Sequence, residues 1–567
     1  MTAKEALKRY WHYDDFRPLQ SEIVASVLEG RDTLALMPTG GGKSICFQVP
    51  TMVKGGLCLV ITPLIALMKD QVENLYQRDI RAAAIYTGMS REQQRVALDN
   101  CQYGPYHFLY ISPERLESED FRKRLSLLPI CLIAVDEAHC ISQWGYDFRP
   151  SYLRIAEVRA LLPDVPVLAL TATATPQVAD DIQARLLFAE KRVLQKSFHR
   201  DNLRYVVRTV GKDGKSSSEA KAAQIVHILS KATGSGIVYV RNRKRTQEVA
   251  EVLTAAGISA DFYHAGLTSG ERNAKQQAWK AGETRVMVCT NAFGMGIDKA
   301  DVRIVIHHDI PDSIEAYYQE AGRAGRDGKT AYAVLLYHPS DKTLAQKRVG
   351  NTYPPKEFVE KVYHCTCDFF QIGLGSGLDH AFTLHMDELC RTMRLPILQT
   401  YSALRLLDQA GYIRFEEEHE TVPRVRINVP AHTLATYSLS REQTELLDWL
   451  MRHYTGIFTD LQYLTDDSQH DLLVSLAQRR IITYIPRTVA CTMTMVQERQ
   501  DSIVLPRRIY EERQENYASK LRAMVEYAEQ TQFCREQVLL GYFGENHAAA
   551  CGECDVCRRM KRRGVDQ

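Results

Sequence analysis

Between Thr33 and about Ile133, short apolar runs alternate with amphipathic segments, and DTLALMPTG, LCLVITPL, HFLYISPE and ICLIAVDEAH each read as a strand ending in a polar loop. Runs that are apolar at nearly every position predict strands covered on both faces, as in a parallel α/β sheet. The rhythm returns after the polar stretch Gly211 to Ser218, with GIVYV, RVMVCT and VRIVIHHDI as strands and Thr246 to Ala256 as a helix. Two similar α/β lobes are expected, over residues 1–207 and 221–350, with a linker over 208–220.

Beyond Tyr353 the pattern becomes helical. MDELCRTMR, a break at Leu395–Pro396, then TYSALRLLDQAGYIRF and the alternating RVRINV predict a helix, a turn, a second helix and a β wing. This gives a winged-helix-like region over 351–503, with a second helical unit around DWLMRHYTGIF. The segment ENYASKLRAMVEYAEQ predicts an amphipathic helix that opens a small module over 504–560, and a basic tail follows over 561–567.

Composition narrows the class. At about 150 residues per domain, 567 residues suggest three to five domains. The longest apolar stretch, Leu57 to Met68, is interrupted by Thr62 and Pro63 and is too short for a bilayer, and no secretory signal precedes it. A cytoplasmic protein without membrane contact is expected. With 71 basic and 69 acidic residues the net charge is +2, so any nucleic-acid surface must be local.

The chemistry begins at Thr39-Gly40-Gly41-Gly42-Lys43-Ser44, between a predicted strand and a helix. Glycines let backbone N–H groups close around phosphate oxygens, Lys43 reaches the β and γ phosphates, and the Ser44 hydroxyl suits Mg²⁺. Met37 stands where the usual phosphate loop has its first glycine. A second strand ends in Asp136-Glu137-Ala138-His139, where Asp136 suits the Mg²⁺ shell and Glu137 the polarising of an attacking water. A third segment, Gln319 to Arg326, offers Arg323 and Arg326 at i and i+3, on one face of a helical turn.

Fourteen cysteines are sparse for this length, and four of them cluster: Cys534, Cys551, Cys554 and Cys557 read C-x16-C-x2-C-x2-C. Four thiolates at such spacing suit tetrahedral Zn²⁺; a redox dithiol at CGEC is the alternative.

Taken together, these motifs resemble the RecQ family of DNA helicases, of helicase superfamily two, over about Tyr10 to Gly328 and again Lys520 to Cys557. The resemblance implies an α/β fold of two RecA-like lobes followed by the winged-helix region and the zinc module. YDDFRPLQ resembles the family's adenine-recognition motif, implying Tyr13, Arg17 and Gln20 around the base. TPLIALMKDQ, ISPERL, TATAT and AFGMGIDK are similar to further motor motifs. By carry-over the catalytic set is Lys43, Asp136, Glu137, His139, Gln319, Arg323 and Arg326, with Arg326 as the arginine finger. His139 to Pro150 resembles the aromatic-rich loop that couples DNA contact to hydrolysis, through Gln143, Trp144, Phe148 and Arg149; Tyr146 stands where the family usually has His. Trp144 and Phe148 offer stacking faces for unpaired bases, and Arg149 a phosphate contact.

The departure is in domain order. Familiar bacterial members place the zinc module directly after the second lobe, and the residues after Cys557 are too few for a helicase-and-RNaseD C-terminal domain. The expected activity is ATP-dependent unwinding of duplex DNA by 3′-to-5′ travel, in recombination and repair. ATP, Mg²⁺ and Zn²⁺ are the implied cofactors. Single-stranded DNA and junction or tailed duplexes are the implied partners; no protein partner is indicated. An ATP-gated junction clamp or annealing factor is the alternative, and an RNA helicase would leave the loop and the zinc module unexplained.

Overall fold

The four apolar runs of the first lobe form strands β1 (Thr33–Leu36), β2 (Leu57–Ile61), β4 (Tyr106–Ile111) and β5 (Ile130–Val135), joined by β3 (Arg81–Ile85), β6 (Val167–Thr171) and β7 (Val193–Gln195). The structure is a computed structural model describing residues 1–567 apart from 39, 87–88, 146, 212–215, 295–298, 421–422, 435, 455, 461, 465–468, 486–488, 563 and 565–567. Thr39, Tyr146, the centre of AFGMGIDK and most of the basic tail therefore lie outside the described residues. Among the described residues the first sheet runs β3-β4-β2-β5-β6-β1-β7, parallel throughout. Both faces are apolar: Leu34, Leu59, Ile133 and Ala169 pack on one side, and Ala35, Val60, Ala134 and Leu168 on the other. The carboxyl ends of β1, β6 and β5 therefore lie side by side, where a parallel sheet places its ligands.

The second sheet comprises β8 (Leu203–Thr209), β9 (Ser235–Tyr239), β10 (Ala260–Tyr263), β11 (Val286–Cys289), β12 (Val302–His307) and β13 (Ala331–Tyr337), in the order β10-β11-β9-β12-β13-β8. This moves the expected boundary. Strand β8 pairs along its whole length with β13, so residues 203–207, expected in the first lobe, and 208–209, expected in the linker, belong to the second lobe. The helix Ser217–Lys231 likewise starts inside the expected linker. That helix buries Lys221, whose Nζ lies 2.9 and 2.8 Å from the two carboxylate oxygens of Asp341. Breaking a buried pair from one side leaves an uncompensated charge. Asp341→Ala should therefore destabilise the second lobe by about 3–5 kcal/mol, read as lost hydrogen-exchange protection in β8 and β13.

The chain folds as two compact units: Met1–Gln346 with Glu515–Gln567, and Lys347–Gln514. The division falls at Gln514 rather than at 504 because Leu505 and Tyr510 pack into the core of the inserted unit. In the first unit, the helices Arg535–Tyr542 and Asp555–Arg562 cover β8, the edge strand of the second sheet. Asp555 Oδ1 accepts the Val207 N–H at 3.2 Å, so an edge donor is satisfied. The C-terminal module thus sits on the second lobe although a whole unit intervenes in sequence.

The inserted unit has two hydrophobic clusters. In the first, the helices Lys356–Phe369, Met386–Thr392 and Ile397–Gln409 pack with β14 (Ala381–Leu384), β15 (Ile413–Glu420) and a later strand that ends the unit's sheet work, Val489–Met495. That sheet is antiparallel with the Val489–Met495 strand in the middle. Among the described residues, Ile413–Glu420 and Arg424–Ile427, expected to run into a β wing, do not pair with each other. Arg424–Ile427 instead pairs with Gln462–Tyr463 and Ile482–Ile485 around the second cluster, which includes Val425, Leu447, Leu450 and Leu476. A helical subdomain is thus inserted where a short wing was expected; local alternation marks a strand but does not say which distant strand it pairs with.

Candidate nucleotide cleft, coupling loop and metal centre

The phosphate-loop segment follows β1 and leads into the helix Ile45–Lys54. Gly40 and Gly42 adopt φ of +79° and +77°, the left-handed region that glycine enters without steric cost. A Cβ at Gly42 would also come within 2.5 Å of Gln20 Nε2. Arg17 donates to the Gly40 carbonyl at 2.9 Å, and Gln20 Nε2 to the Gly41 and Gly42 carbonyls at 3.3 and 3.0 Å. These two side chains, expected around a base, therefore also fix the loop's shape. Ser44 precedes the helix and makes no capping bond with its hydroxyl.

Beside the loop, β5 ends in Asp136 and Glu137. Lys43 Nζ faces Glu137 Oε1 at 3.7 Å, both side chains mostly buried. Burial pushes the Asp136 carboxyl above the usual carboxylate range, against the pull of Lys43. The hydroxyl of Thr62, at the end of β2, lies 3.5 Å from Asp136 Oδ2. Glu137 itself holds a φ of +47°, a strained position for a non-glycine residue and a frequent mark of a functional site. Behind it, His139 is fully buried and its pKa is pushed down to about 4, so the ring is neutral near pH 7. Its Nδ1 lies 2.8 Å from Thr171 Oγ1 and 3.4 Å from Glu137 Oε2. Thr62 and Thr171 open the TPLIALMKDQ and TATAT segments but were given no individual role in the sequence; each sits at a strand end beside the acidic motif.

The second lobe closes the cleft. One space of about 540 Å³ is walled by Tyr13, Arg17, Gln20, Gly40, Gly42, Lys43, Ser44, Asp136, Glu137, Gln319, Arg323 and Arg326. Arg326 reaches across to the loop, its Cγ only 3.5 Å from where a Gly40 Cβ would stand. The two arginines do not share a helical face as expected. The helix Ile314–Ala321 ends at Gly322, and Gly325 turns the chain at φ +66°, so Arg323 and Arg326 stand on the turns that follow.

The aromatic loop folds back on the acidic motif. Arg149 N donates to the Cys140 carbonyl at 2.9 Å, and Tyr152 Oη, fully buried, to the Asp136 carbonyl at 3.0 Å. A Cβ at Gly145 would lie 2.5 Å from the His139 oxygen, so only glycine permits this approach. Trp144 is 37% exposed and Phe148 is half-buried. Arg149 pairs with Asp147 at 3.1 Å, so its guanidinium already has a carboxylate partner. The Gln143 carbonyl accepts from Asn516 Nδ2 at 3.2 Å.

At the C-terminal end, the Sγ atoms of Cys534, Cys551, Cys554 and Cys557 all lie within 4.8 Å of one another. Cys534 and Cys551 are 3.4 Å apart, and Cys534 and Cys554 4.0 Å. A disulfide needs about 2.05 Å. Zinc–thiolate bonds of about 2.3 Å in a tetrahedron put the sulfurs about 3.8 Å apart, so the four residues fit that metal. Backbone N–H groups of Cys551, Cys554 and Cys557 point at neighbouring sulfurs at 3.3, 3.3 and 3.4 Å, as thiolate acceptors require. Among the described residues, no helix is long and apolar enough to cross a membrane.

Comparison with known proteins agrees with this geometry. Residues 17–182 match the DEAD/DEAH box helicase family, 220–328 the helicase conserved C-terminal domain and 493–558 the RecQ zinc-binding family. The chain is 42% identical over 346 residues to the ATP-dependent DNA helicase RecQ of Haemophilus influenzae, covering 61% of this chain and 55% of that one. It is 40% identical to the "Probable ATP-dependent DNA helicase RecS" of Bacillus subtilis, covering 61% of this chain and 68% of that one. It thus spans little more than half the length of the first of these relatives. Among solved structures, the DUF1998 helicase MrfA bound to DNA shares the fold, with a TM-score of 0.51 at 18% identity over 61% of this chain and 49% of that one.

Proposed function

Because this chain belongs to the RecQ family of helicases, we propose that it is an ATP-dependent DNA helicase that travels 3′ to 5′ on one strand and unwinds duplex DNA in recombination and repair. The observation that carries this reading is the single cleft in which Lys43 and Glu137 of one lobe face Arg323 and Arg326 of the other. In the proposed cycle Tyr13, Arg17 and Gln20 hold the base, the glycine loop and Lys43 hold the phosphates, and Ser44 and Asp136 take Mg²⁺. Glu137 polarises the attacking water, with neutral His139 and Gln319 beside it, and Arg326 and Arg323 neutralise charge on the transferring phosphoryl group. Closure of the lobes on ATP and release after hydrolysis would move single-stranded DNA stepwise.

The four cysteines would hold a structural Zn²⁺ with no open position for water. The substrates expected are single strands and tailed or junction duplexes, and a DNA substrate together with reduced cysteines fits a cytoplasmic setting. Single-stranded DNA should stimulate ATP hydrolysis strongly and RNA of the same sequence should not; equal stimulation by RNA would overturn the choice of DNA.

The Cys140 N–H bond to the Glu137 carbonyl, the Arg149 N–H that closes the loop on Cys140 and the Tyr152 hydroxyl on the Asp136 carbonyl support a coupling role for Gln143, Trp144, Phe148 and Arg149. Stacking on one base is worth about 1–3 kcal/mol, so Trp144→Ala should weaken DNA binding modestly. Its larger effect should be on DNA stimulation of the ATPase, with the basal rate kept. Parallel loss of stimulation and affinity, measured by ATPase titration and fluorescence anisotropy, would make the loop a binding surface only.

A further inference from the structure

The turns that carry Arg323 and Arg326 contain two glycines, Gly322 and Gly325, and glycine gives a loop the least conformational restraint of any residue. Something else must hold these turns. The structure supplies it from Arg200 and Asn202, in the segment entering β8. The Arg200 guanidinium donates to three carbonyls of the turn, Gly322 at 3.4 Å, Ala324 at 3.0 Å and Gly325 at 3.1 Å. Asn202 Nδ2 donates to the Gly325 carbonyl at 2.6 Å and to that of Lys329 at 2.9 Å. The turn is also tight against it: a Cβ at Gly325 would lie 2.4 Å from Asn202 Nδ2.

Arg200 is itself held from the C-terminal module. Glu536, buried in the helix Arg535–Tyr542, accepts the Arg200 N–H at 3.3 Å and lies 2.7 Å from His199 Nδ1. Glu545 accepts the Phe198 N–H at 2.7 Å, and the Phe198 ring stacks on Phe543 with centroids 4.6 Å apart. On the other side Tyr318 Oη donates to the Phe198 carbonyl at 2.6 Å. The segment is therefore clamped between the module and the helix that ends at the arginine turns.

Resting on the nucleotide reading above, we propose that Arg200 and Asn202 are positioning residues that set Arg323 and Arg326 against the transferring phosphoryl group, and that Glu536 of the cysteine module sets Arg200. Neither Arg200 nor Asn202 lines the cleft, so their removal should leave ATP binding intact and slow only the step that needs the arginines. Misplacing a catalytic group by about 1 Å costs on the order of 10²-fold, whereas an arginine finger as a whole is worth about 10³–10⁵.

The test is a double-mutant cycle on DNA-stimulated ATP hydrolysis. Arg200→Ala should lower kcat by about 10²-fold with KM for ATP nearly unchanged, and should add little in an Arg326→Ala background, because it acts through the same group. Arg200→Lys keeps the charge and the stem but loses the planar fork that three carbonyls require, and should lie between wild type and Arg200→Ala. It also serves if the alanine variant fails to fold. Glu536→Gln should shift kcat in the same sense by less. Multiplicative effects of Arg200 and Arg326, or a rise in KM without loss of kcat, would overturn the positioning role while leaving the nucleotide reading in place. An Arg326→Ala protein with normal kcat would overturn both.

Discussion

Glu137→Gln protein should bind ATP about as well as the wild type and hydrolyse it about 10²–10⁴ times more slowly at saturating DNA, the range that a positioned general base contributes. Gln keeps the size and hydrogen bonding of Glu but cannot draw a proton from water. The local frame is rigid enough to isolate that effect, because Glu137 sits between Lys43 on one side and the neutral ring of His139 on the other. Rapid-mixing measurement of phosphate release, with fluorescent nucleotide binding as the control, checks both halves. Normal DNA-stimulated turnover in the variant would remove Glu137 from the reaction.

The second large effect should follow from Cys554→Ser. Cys554 is fully buried and its sulfur receives the N–H groups of Cys557 and Arg535. Apparent zinc binding is worth on the order of 10–16 kcal/mol in small zinc peptides, more than a segment of this size gains from its own core. Losing one ligand should therefore unfold the module, uncover the β8 edge and leave Phe198 without Phe543, which favours aggregation. The two lobes have their own cores and should keep ATP binding in any soluble fraction. Hydrolysis should fall further than binding, since Glu536 leaves Arg200. Elemental analysis should find one zinc per wild-type chain; none, or four freely reactive thiols in the native protein, would contradict the metal centre.

Much of this site was legible in the sequence, for a physical reason. Strands buried on both faces are apolar throughout, so β1, β2, β4 and β5 stood out, and the polar residues at their ends had to be loop residues at one edge of the sheet. β3 is built largely of alanines and β8 interrupts its apolar residues with Arg204 and Arg208, so neither carried that signal, and β8 was divided between the first lobe and the linker. The inserted unit was read as a winged-helix-like region with a second helical unit around DWLMRHYTGIF, where the helix Arg441–His453 lies, but its strand pairing was not legible because the partner of a strand is not encoded locally. Val489–Met495 returns to β15 across a complete subdomain. The arginine turns were read as helix because i, i+3 spacing ignores the left-handed Gly325. Arg200 and Asn202 left no trace as site residues: they work through backbone carbonyls, which have no sequence signature.

Strand displacement on duplexes with a 3′ or a 5′ single-stranded tail tests the central claim most directly. With ATP, the wild-type protein should displace the strand of the 3′-tailed DNA duplex, leave the 5′-tailed one paired, and do neither when Glu137→Gln is substituted. ATP hydrolysis stimulated by either duplex with no strand released from it would contradict the helicase account and leave a DNA clamp in its place.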